Sequence, residues 1–390
     1  LINAMKPKLW IHIGTHKTGT TSIEAFLKTN RKALARQGIG LLTFPRDARR
    51  ALRKHAEGNE TAAKRLANTL EHLITKQSRA CTSQLNTYIL SWEGFCGNAI
   101  KGYNDAPLMA NTLNLASKNS NLNPYIILYI RPQEEFISSY YSQTVKDGKT
   151  KSIQEFLHDL PSDSFNWLKL TETFERQFGA DQVVVERYCR ELFPGKNEIL
   201  KDFCAHLSID TRSLTFPSSS INSAKNAGWS KPMIEIARIL NAQVSKDEQQ
   251  TMKEIFNKLT PQIAKNDYAY FAADTTTLIR NSYFKSNQDL CAKRFPTQTS
   301  LFPSHDTNAD HHSHRTSPEV LINNITGFNY KPNLDDTLEL TLKLVKFIHE
   351  RQYQSQPTPP RRQHPLRILE RLHIKIKHTL TKVLRTNNSK

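Results

Sequence analysis

A short segment bounded by two glycines, near the start of the chain, could bind an oxyanion. Residues 14–21 read Gly-Thr-His-Lys-Thr-Gly-Thr-Thr, and Gly14 and Gly19 have the spacing of a phosphate-binding P-loop. The backbone amides of such a loop surround an anionic group at the N-terminus of the following helix. A nucleoside-triphosphate enzyme has lysine directly after the second glycine, but here Thr20 stands there and Lys17 lies inside the loop. From that position Lys17 can still reach the oxygens of a terminal phosphate- or sulfate-like group.

Two other interpretations of this segment stay open. It could be a tight turn between a strand and a helix that needs only small residues. It could also be an ATP or GTP site, although the displaced lysine argues against that.

Strands and helices alternate around the loop. The apolar run Lys8–Ile13 predicts a strand before it, and the spacing of Ile23, Phe26 and Leu27 predicts a helix after it. Such alternation is typical of a parallel, doubly wound sheet. The sequence therefore predicts an α/β fold of the P-loop type, a three-layer sandwich with a central parallel sheet and helical C-terminal additions. Further strands are predicted at Ile39–Thr43, Tyr88–Ser91, Tyr125–Ile130 and Gln182–Glu186, and further helices at 47–80, after Pro132, and at Trp167–Phe178, 230–241, 245–258 and 286–294.

A second pair of residues suits a phosphate group. Arg131 follows the strand Tyr125–Ile130, and Ser139 comes eight residues later, before two tyrosines. Arginine offers a planar fork of donors to phosphate, and the hydroxyl adds another donor. Taken alone, Arg131 could instead cap a helix or pair with Glu134 or Glu135.

The two motifs together resemble sulfotransferases that use 3′-phosphoadenosine 5′-phosphosulfate (PAPS). Lys17-Thr-Gly-Thr-Thr21 is similar to their 5′-phosphosulfate loop, and Arg131 with Ser139 to the pair that holds the 3′-phosphate. The resemblance covers residues 8–295. Weaker similarity at Phe136–Gly148, Trp167–Gly179, Val183–Tyr188 and Asn222–Asn241 is to the bacterial branch, which tends to modify carbohydrate.

The resemblance implies a set of residues for the sulfuryl donor. Lys17 and the loop amides would neutralise the bridging oxygen as the sulfur–oxygen bond breaks, because positioning and electrostatics dominate this kind of transfer. No metal is expected. The expected donor-binding residues are Thr15, Lys17, Thr18, Gly19, Thr20, Thr21, Arg131 and Ser139.

The acceptor hydroxyl also needs a general base. Glu93 is one candidate, because it follows a strand whose carboxyl end should face the loop, and several carbohydrate and protein sulfotransferases likewise use a glutamate. His16, inside the loop, is the other. Glu93 could equally be a rim residue paired with a lysine. His12 alternates with apolar strand residues and is expected to be a core histidine.

Composition limits the class of protein. With 38% hydrophobic residues the chain can build a core, and its apolar runs are shorter than a membrane span. Five scattered cysteines do not suggest a disulfide framework, so a reducing cytoplasm is expected. The net charge of +18 predicts anionic partners. A glycan or glycolipid acceptor is expected, and nucleic acid is not.

The C-terminal part is predicted to be an appendage to the sulfotransferase-like domain at 6–295. It comprises a flexible loop region at 296–332, a helix at 333–353, a linker at 354–365 and a basic amphipathic helix at 366–385. That last helix could pack on protein, lie on an anionic membrane at its inner face, or bind nucleic acid; the order given is the order of preference.

Two rival functions follow from the same observations. A kinase-like P-loop enzyme would bind ATP with Mg²⁺. A non-catalytic basic protein would bind membrane or glycan through residues 366–385 and would not need Lys17.

Overall fold

The computed structural model describes residues 6–55, 60–80, 85–195, 197–218, 228–260 and 270–303, together with Arg371, Ile374, Lys375 and His378. These residues form two compact units. The first lies within Leu1–Phe136, Leu160–Ser218 and Thr277–Leu321, and the second within Ile137–Asp159, Ser219–Thr276 and Ile322–Lys390.

A five-stranded parallel sheet is the centre of the first unit. The strand order is β2-β3-β1-β4-β5, so the chain winds in both directions from β1. Residue Ile11 pairs with Leu90 on one side and Ile126 on the other. This confirms the predicted α/β fold with a central parallel sheet. The strands are β1 (Lys8–His12), β2 (Ile39–Leu42), β3 (Thr87–Ser91), β4 (Asn123–Ile130) and β5 (Val183–Arg187).

The strands are apolar because helices cover both faces of the sheet. The interior strand β4 is buried from Ile126 to Ile130, which gives it a continuous rather than an alternating apolar run. Its β-branched and aromatic side chains favour extended backbone. All five strands are confirmed to within two residues at each end.

Twelve α-helices are described. Seven of them lie wholly in the first unit, together with most of α12: α1, α2, α3, α4, α5, α8 and α9. The helices are α1 (Thr20–Thr29), α2 (Arg31–Arg36), α3 (Arg46–His55), α4 (Glu60–Ala80), α5 (Ala106–Asn119), α6 (Gln133–Lys146), α7 (Ile153–His158), α8 (Trp167–Phe178), α9 (Glu198–His206), α10 (Lys231–Asn241), α11 (Lys246–Leu259) and α12 (Ala273–Arg294).

The core next to the loop is built from α1, α9 and one face of the sheet. Phe26 of α1 and Phe203 of α9 are almost completely buried against Ile89, Ile127 and Tyr129. On the opposite face, α8 contacts β4 and β5, and α5 contacts α4 and α8. At about 25 cal/mol per Å² of apolar surface, this burial holds α1 firmly against the sheet.

Two predicted helices differ in the structure. The single helix expected at 47–80 is two helices, α3 and α4, and residues 56–59 between them lie outside the described part. The helix expected at 286–294 begins earlier, at Ala273. A polar run, Asp274–Thr277, conceals the apolar spacing of its first turn.

The second unit contains a buried carboxylate. Glu235 on α10 pairs with Arg238 at 2.9 Å and accepts a hydrogen bond from the Tyr270 hydroxyl. Burial of a charge needs such partners. Burial beside Glu235 also raises the pKa of Tyr270, which keeps that phenol protonated.

One residue of the C-terminal basic segment is paired within the second unit. The Lys375 ammonium lies 2.8 Å from the Glu248 carboxylate at the start of α11, and Lys375, Arg371, Ile374 and His378 are helical. This contact of Lys375 is with protein, and the three alternatives for the segment 366–385 as a whole stay predictions. Of the loop region expected at 296–332, residues 304–332 lie outside the described residues, as do the helix expected at 333–353 and the linker expected at 354–365.

Among the described helices, none combines the length and the apolar composition that crossing a membrane requires.

A histidine ion-pair network joins β5 to α9. The Nε2 atom of His206 lies 3.2 Å from a Glu186 oxygen and 3.6 Å from an Asp202 oxygen, and the Tyr129 hydroxyl donates to Asp202 at 2.7 Å. Hydrogen bonds to Asp202 and Glu186 raise the pKa of His206 to about 9. The protonated imidazolium is therefore the form that stabilises the fold.

This network predicts a loss of stability in alkaline solution. Because the folded-state pKa of His206 is above its unfolded value, its contribution is complete below about pH 6.5 and is lost as pH rises through about 9. After allowance for partial exposure, we expect a loss on the order of 1–2 kcal/mol between these limits. Urea unfolding at pH 6 and pH 9.5, for the wild type and His206→Gln, measures it. An equal pH effect in His206→Gln would contradict the assignment.

Candidate functional site

The loop between β1 and α1 has a backbone that only certain residues tolerate. Gly14 has φ 38°, Lys17 has φ 65° and Gly19 has φ 82°. Glycine adopts positive φ without steric cost, whereas lysine does so rarely. Three such residues within six positions turn the chain sharply from β1 into the first turn of α1, at Thr20. The loop is therefore a built feature and not a chance run of small residues.

Hydrogen bonds fasten this loop to the neighbouring strand. The amide and the hydroxyl of Thr15 donate to the Tyr129 carbonyl of β4, at 3.2 Å and 2.9 Å. The Thr18 hydroxyl donates to the Thr15 carbonyl at 2.6 Å. Both threonines are fully buried, so in this structure their hydroxyls maintain the shape of the loop.

Two buried polar atoms lie beneath the loop. The Thr20 hydroxyl and His12 Nε2 are buried and have no hydrogen-bond partner among the described residues. A Cβ atom at Gly14 would be 2.6 Å from that hydroxyl and 3.1 Å from His12 Nε2. Only glycine fits at position 14, and a ligand oxygen would satisfy the Thr20 hydroxyl.

His12 is confirmed as a core histidine. Its Nδ1 atom lies 2.8 Å from the Ser91 hydroxyl, and complete burial lowers its pKa to about 3. The ring is therefore neutral at physiological pH and places no positive charge under the loop. Thr21, in contrast, is exposed on the first turn of α1.

Arg131 lies against the loop, where the sequence predicted it. It follows β4, and its guanidinium donates to the Lys17 carbonyl at 3.3 Å and pairs with Glu135 at 2.9 Å. It also lies over the Tyr188 ring, 5.8 Å from its centroid, and Trp167 fixes its backbone by donating to its carbonyl at 2.7 Å. The ion pair with Glu135, one of the two alternatives from the sequence, is present beside the loop contact.

Ser139, the expected partner of Arg131, lies on α6 and is half-buried. It belongs to the second unit, whereas Arg131 belongs to the first. Its role with Arg131 stays a prediction.

Glu93 lies two residues beyond the end of β3. It opens a short 3₁₀ turn, Glu93–Cys96, and is half-buried. The pKa of Glu24 on α1 is raised mainly by burial and, in smaller part, by repulsion from the negative charge of Glu93. Glu93 therefore lies near the helix that follows the loop.

His16 is bound by a residue that the sequence did not single out. The hydroxyl of Tyr103 accepts from the His16 amide at 3.2 Å and lies 3.0 Å from His16 Nδ1. Tyr103 is 87 positions away in the chain and has φ 64°. No local pattern signals such a partner, although Gly102 directly before it indicates a tight turn.

Tyr188 is the second residue that sequence reasoning missed. It follows β5, and its ring lies beneath Arg131 and 3.6 Å from the position of a Cβ at Gly19. An aromatic residue directly after a predicted strand is the one signal that could have indicated it.

The residues of the loop fit an anionic ligand. Two cations, Lys17 and Arg131, and the first amides of α1, which have no carbonyl partner within the helix, are at the same edge of the sheet. Gly19 caps the helix without a side chain in the way. The unsatisfied Thr20 hydroxyl adds a donor. Together, the loop and Arg131 can bind a phosphate or sulfate group.

Three side chains away from the loop, within the described part of the chain, lie close enough together to hold a metal ion. Ligand atoms of Glu186, Asp202 and His206 lie within 4.8 Å of one another. These groups satisfy one another as the ion-pair network described above.

Comparisons with known proteins found likeness in structure only. No family model and no curated protein matches the sequence. A sulfotransferase from Alicyclobacillus acidocaldarius is 14% identical, with a TM-score of 0.36, over 63% of this chain and 100% of that chain. The sulfotransferase domain from the curacin biosynthetic pathway is 12% identical, with a TM-score of 0.31, over 64% of this chain and 97% of that chain. At these values the assignment of function rests on the residues of the site.

The loop geometry predicts the effect of Gly19→Ala. A Cβ there would lie 3.0 Å from Ile199 Cδ1 on a backbone with φ 82°, so we expect a loss of about 1–2 kcal/mol of stability. We also expect pyrophosphate to raise the melting temperature of the wild type but not of this variant.

Gly179→Ala is the matched control. Gly179 also has positive φ, 91°, but no atom lies within 4 Å of the Cβ position and it is outside the loop. It should lose stability and keep the response to pyrophosphate. If both variants respond as the wild type does, the loop does not bind the anion.

Proposed function

We propose that this protein is a sulfotransferase that moves a sulfuryl group from PAPS to a hydroxyl of a carbohydrate acceptor. One observation carries the proposal. Arg131, the first residue of the second motif, is more than a hundred positions from the loop in sequence, and it donates to the Lys17 carbonyl. The resemblance of both motifs to PAPS-dependent enzymes supports the choice of donor.

The donor supplies the sulfuryl group, and the loop supplies the charge that its departure requires. Amides at the start of α1 and the Thr20 hydroxyl bind the 5′-phosphate side, where Gly14 leaves room. Lys17 neutralises the charge that develops on the leaving oxygen. Arg131, held by Glu135 and stacked over Tyr188, binds the second phosphate.

Glu93 is the proposed general base. The Tyr103 hydroxyl accepts from the His16 amide and lies 3.0 Å from His16 Nδ1, so one ring nitrogen of His16 is already engaged by a neighbouring residue. Glu93 supplies a carboxylate, the type of group that can take up the acceptor proton, and it follows the strand next to β1.

The rival kinase-like function differs in its ligand. It would bind ATP with Mg²⁺, but the residue after Gly19 is a threonine and Lys17 lies inside the loop. Calorimetric titration with ATP, with and without Mg²⁺, separates the two functions.

Binding of adenosine 3′,5′-bisphosphate, the product of the donor, tests the site directly. We expect metal-independent binding that Arg131→Ala weakens about 10- to 100-fold, the loss of a charge-assisted phosphate contact. Arg212→Ala is the control, because Arg212 is exposed and pairs with Asp210 away from the loop. Binding of ATP with Mg²⁺ but not of the bisphosphate would contradict the proposal.

Glu93→Gln tests the base. We expect kcat to fall about 10²- to 10⁴-fold, with the affinity for the bisphosphate unchanged, because a general base acts only in turnover. The assay is bisphosphate release from PAPS with the best acceptor of a mono- and disaccharide panel. The acidic limb of the kcat–pH profile should disappear.

Glu24→Gln removes the neighbouring carboxylate of α1 and should keep that limb. If the limb persists in Glu93→Gln and disappears in His16→Gln, then His16 is the base.

A further inference from the structure

A cavity of about 450 Å³ lies in the first unit, beside the candidate site. Its walls are the turn at 102–107, which follows β3, and the segment 162–173, which leads into α8. Cavities of this size hold small organic ligands. Neither wall belongs to the loop at 14–21.

The backbone around this cavity is unusual. Gly102, Tyr103, Asp163 and Phe165 line it, and their φ angles are 60°, 64°, 66° and 60°. Positive φ is rare for tyrosine and phenylalanine. Such residues persist where the surrounding structure fixes them, and they cluster at ligand sites.

Close contact between the two walls fixes these residues. A Cβ at Gly102 would lie 2.1 Å from the Ser164 hydroxyl oxygen, so the walls meet there. The Tyr283 hydroxyl donates to the Ser164 carbonyl at 2.8 Å, and the Tyr103 amide donates to the Asn98 carbonyl at 3.1 Å. The cavity is therefore formed before any ligand enters.

Polar groups on one wall are already ordered. The Asp163 carboxylate accepts from the side-chain amide (Nδ2) of Asn166 at 2.7 Å and from the Lys169 ammonium at 2.9 Å. Asn166 in turn caps α8 by accepting from the Lys169 amide at 3.1 Å. Each carboxylate oxygen keeps one acceptor site, and the ammonium has two further donors.

The charges on this wall cancel. Lys169 and Asp163 form an ion pair, and the other polar lining residues, such as Ser162 and Asn104, are neutral. This lining therefore offers a charged ligand no opposite charge that is not already compensated. A neutral ligand with several hydroxyl groups fits both its donors and its acceptors.

Tyr103 connects the cavity to the loop. Its hydroxyl bonds to His16, while the residue lines the cavity together with Phe165, whose ring centroid is 6.0 Å away. A ligand in the cavity is thus one side chain away from the residue that precedes Lys17.

We propose that this cavity is the acceptor site and that it binds a neutral sugar of mono- or disaccharide size, through the Asp163–Lys169 wall and the Tyr103 edge. The acceptor role rests on the proposed sulfuryl transfer. The binding of a neutral sugar does not.

Ligand-observed saturation-transfer NMR on the full chain tests this. The probes are galactose, N-acetylglucosamine and maltose as neutral sugars, glucuronic acid as an acidic sugar and 4-nitrophenol as a neutral aromatic alcohol. Adenosine 3′,5′-bisphosphate is titrated separately. We expect at least one neutral sugar to bind more tightly than glucuronic acid and 4-nitrophenol.

Variants assign that binding to the cavity. Asp163→Asn keeps a residue type that tolerates positive φ, and Lys169→Met changes a side chain that is 60% exposed, so both should fold. We expect each to weaken sugar binding at least 10-fold and to leave bisphosphate binding unchanged. Asp210→Asn and Arg212→Met break an exposed ion pair of the same unit and should change neither.

The outcomes separate the two proposals. Bisphosphate binding without sugar binding, tighter binding of glucuronic acid or 4-nitrophenol, or sugar binding that survives Asp163→Asn and Lys169→Met would overturn the acceptor site alone. Failure of the bisphosphate to bind would overturn the proposed function. Sugar binding lost in both variants would still support the cavity as a sugar site.

Discussion

The attachment of one loop to the end of one strand determines the rest of this site. The strand order places β4 directly beside β1, and the chain leaves these two strands in opposite directions. In open parallel sheets a crevice forms at that point, outside the carboxyl ends of the strands. Thr15 binds the Tyr129 carbonyl there, and two residues later the chain supplies Arg131 to the Lys17 carbonyl. The loop and the arginine are therefore positioned by the sheet itself and not by flexible connections.

The same edge of the sheet also explains the second link, through Tyr103. The chain that follows β3 lies on the other side of β1. It brings the Tyr103 hydroxyl to two atoms of His16, the backbone nitrogen and the ring nitrogen Nδ1. A phenol held at positive φ and buried to 95% has little freedom, so His16 has one orientation. The aromatic contacts of Tyr103 with Phe136 and Trp167 make the constraint rigid.

Sequence patterns predicted what depends on near neighbours in the chain. The apolar runs gave all five strands, and the glycine spacing indicated the loop, because both are local constraints on the backbone. The patterns could not reveal that the Thr18 hydroxyl donates to the Thr15 carbonyl. Nor could they reveal that Tyr103 binds His16 or that Tyr188 lies under Arg131. Each of these depends on the angle at which a loop leaves the sheet, which periodicity does not encode.

The two binding regions differ in charge, and this difference can keep their ligands apart. Lys17, Arg131 and the start of α1 give the loop a positive charge, and the neutral His12 beneath them adds none. In the cavity, Asp163 cancels Lys169. A phosphate entering the cavity would have to compete with Asp163 for Lys169, whereas at the loop it gains both cations and the helix amides. In a chain with a net charge of +18, this local cancellation would direct an anion to the loop and leave the cavity to the neutral acceptor that we propose.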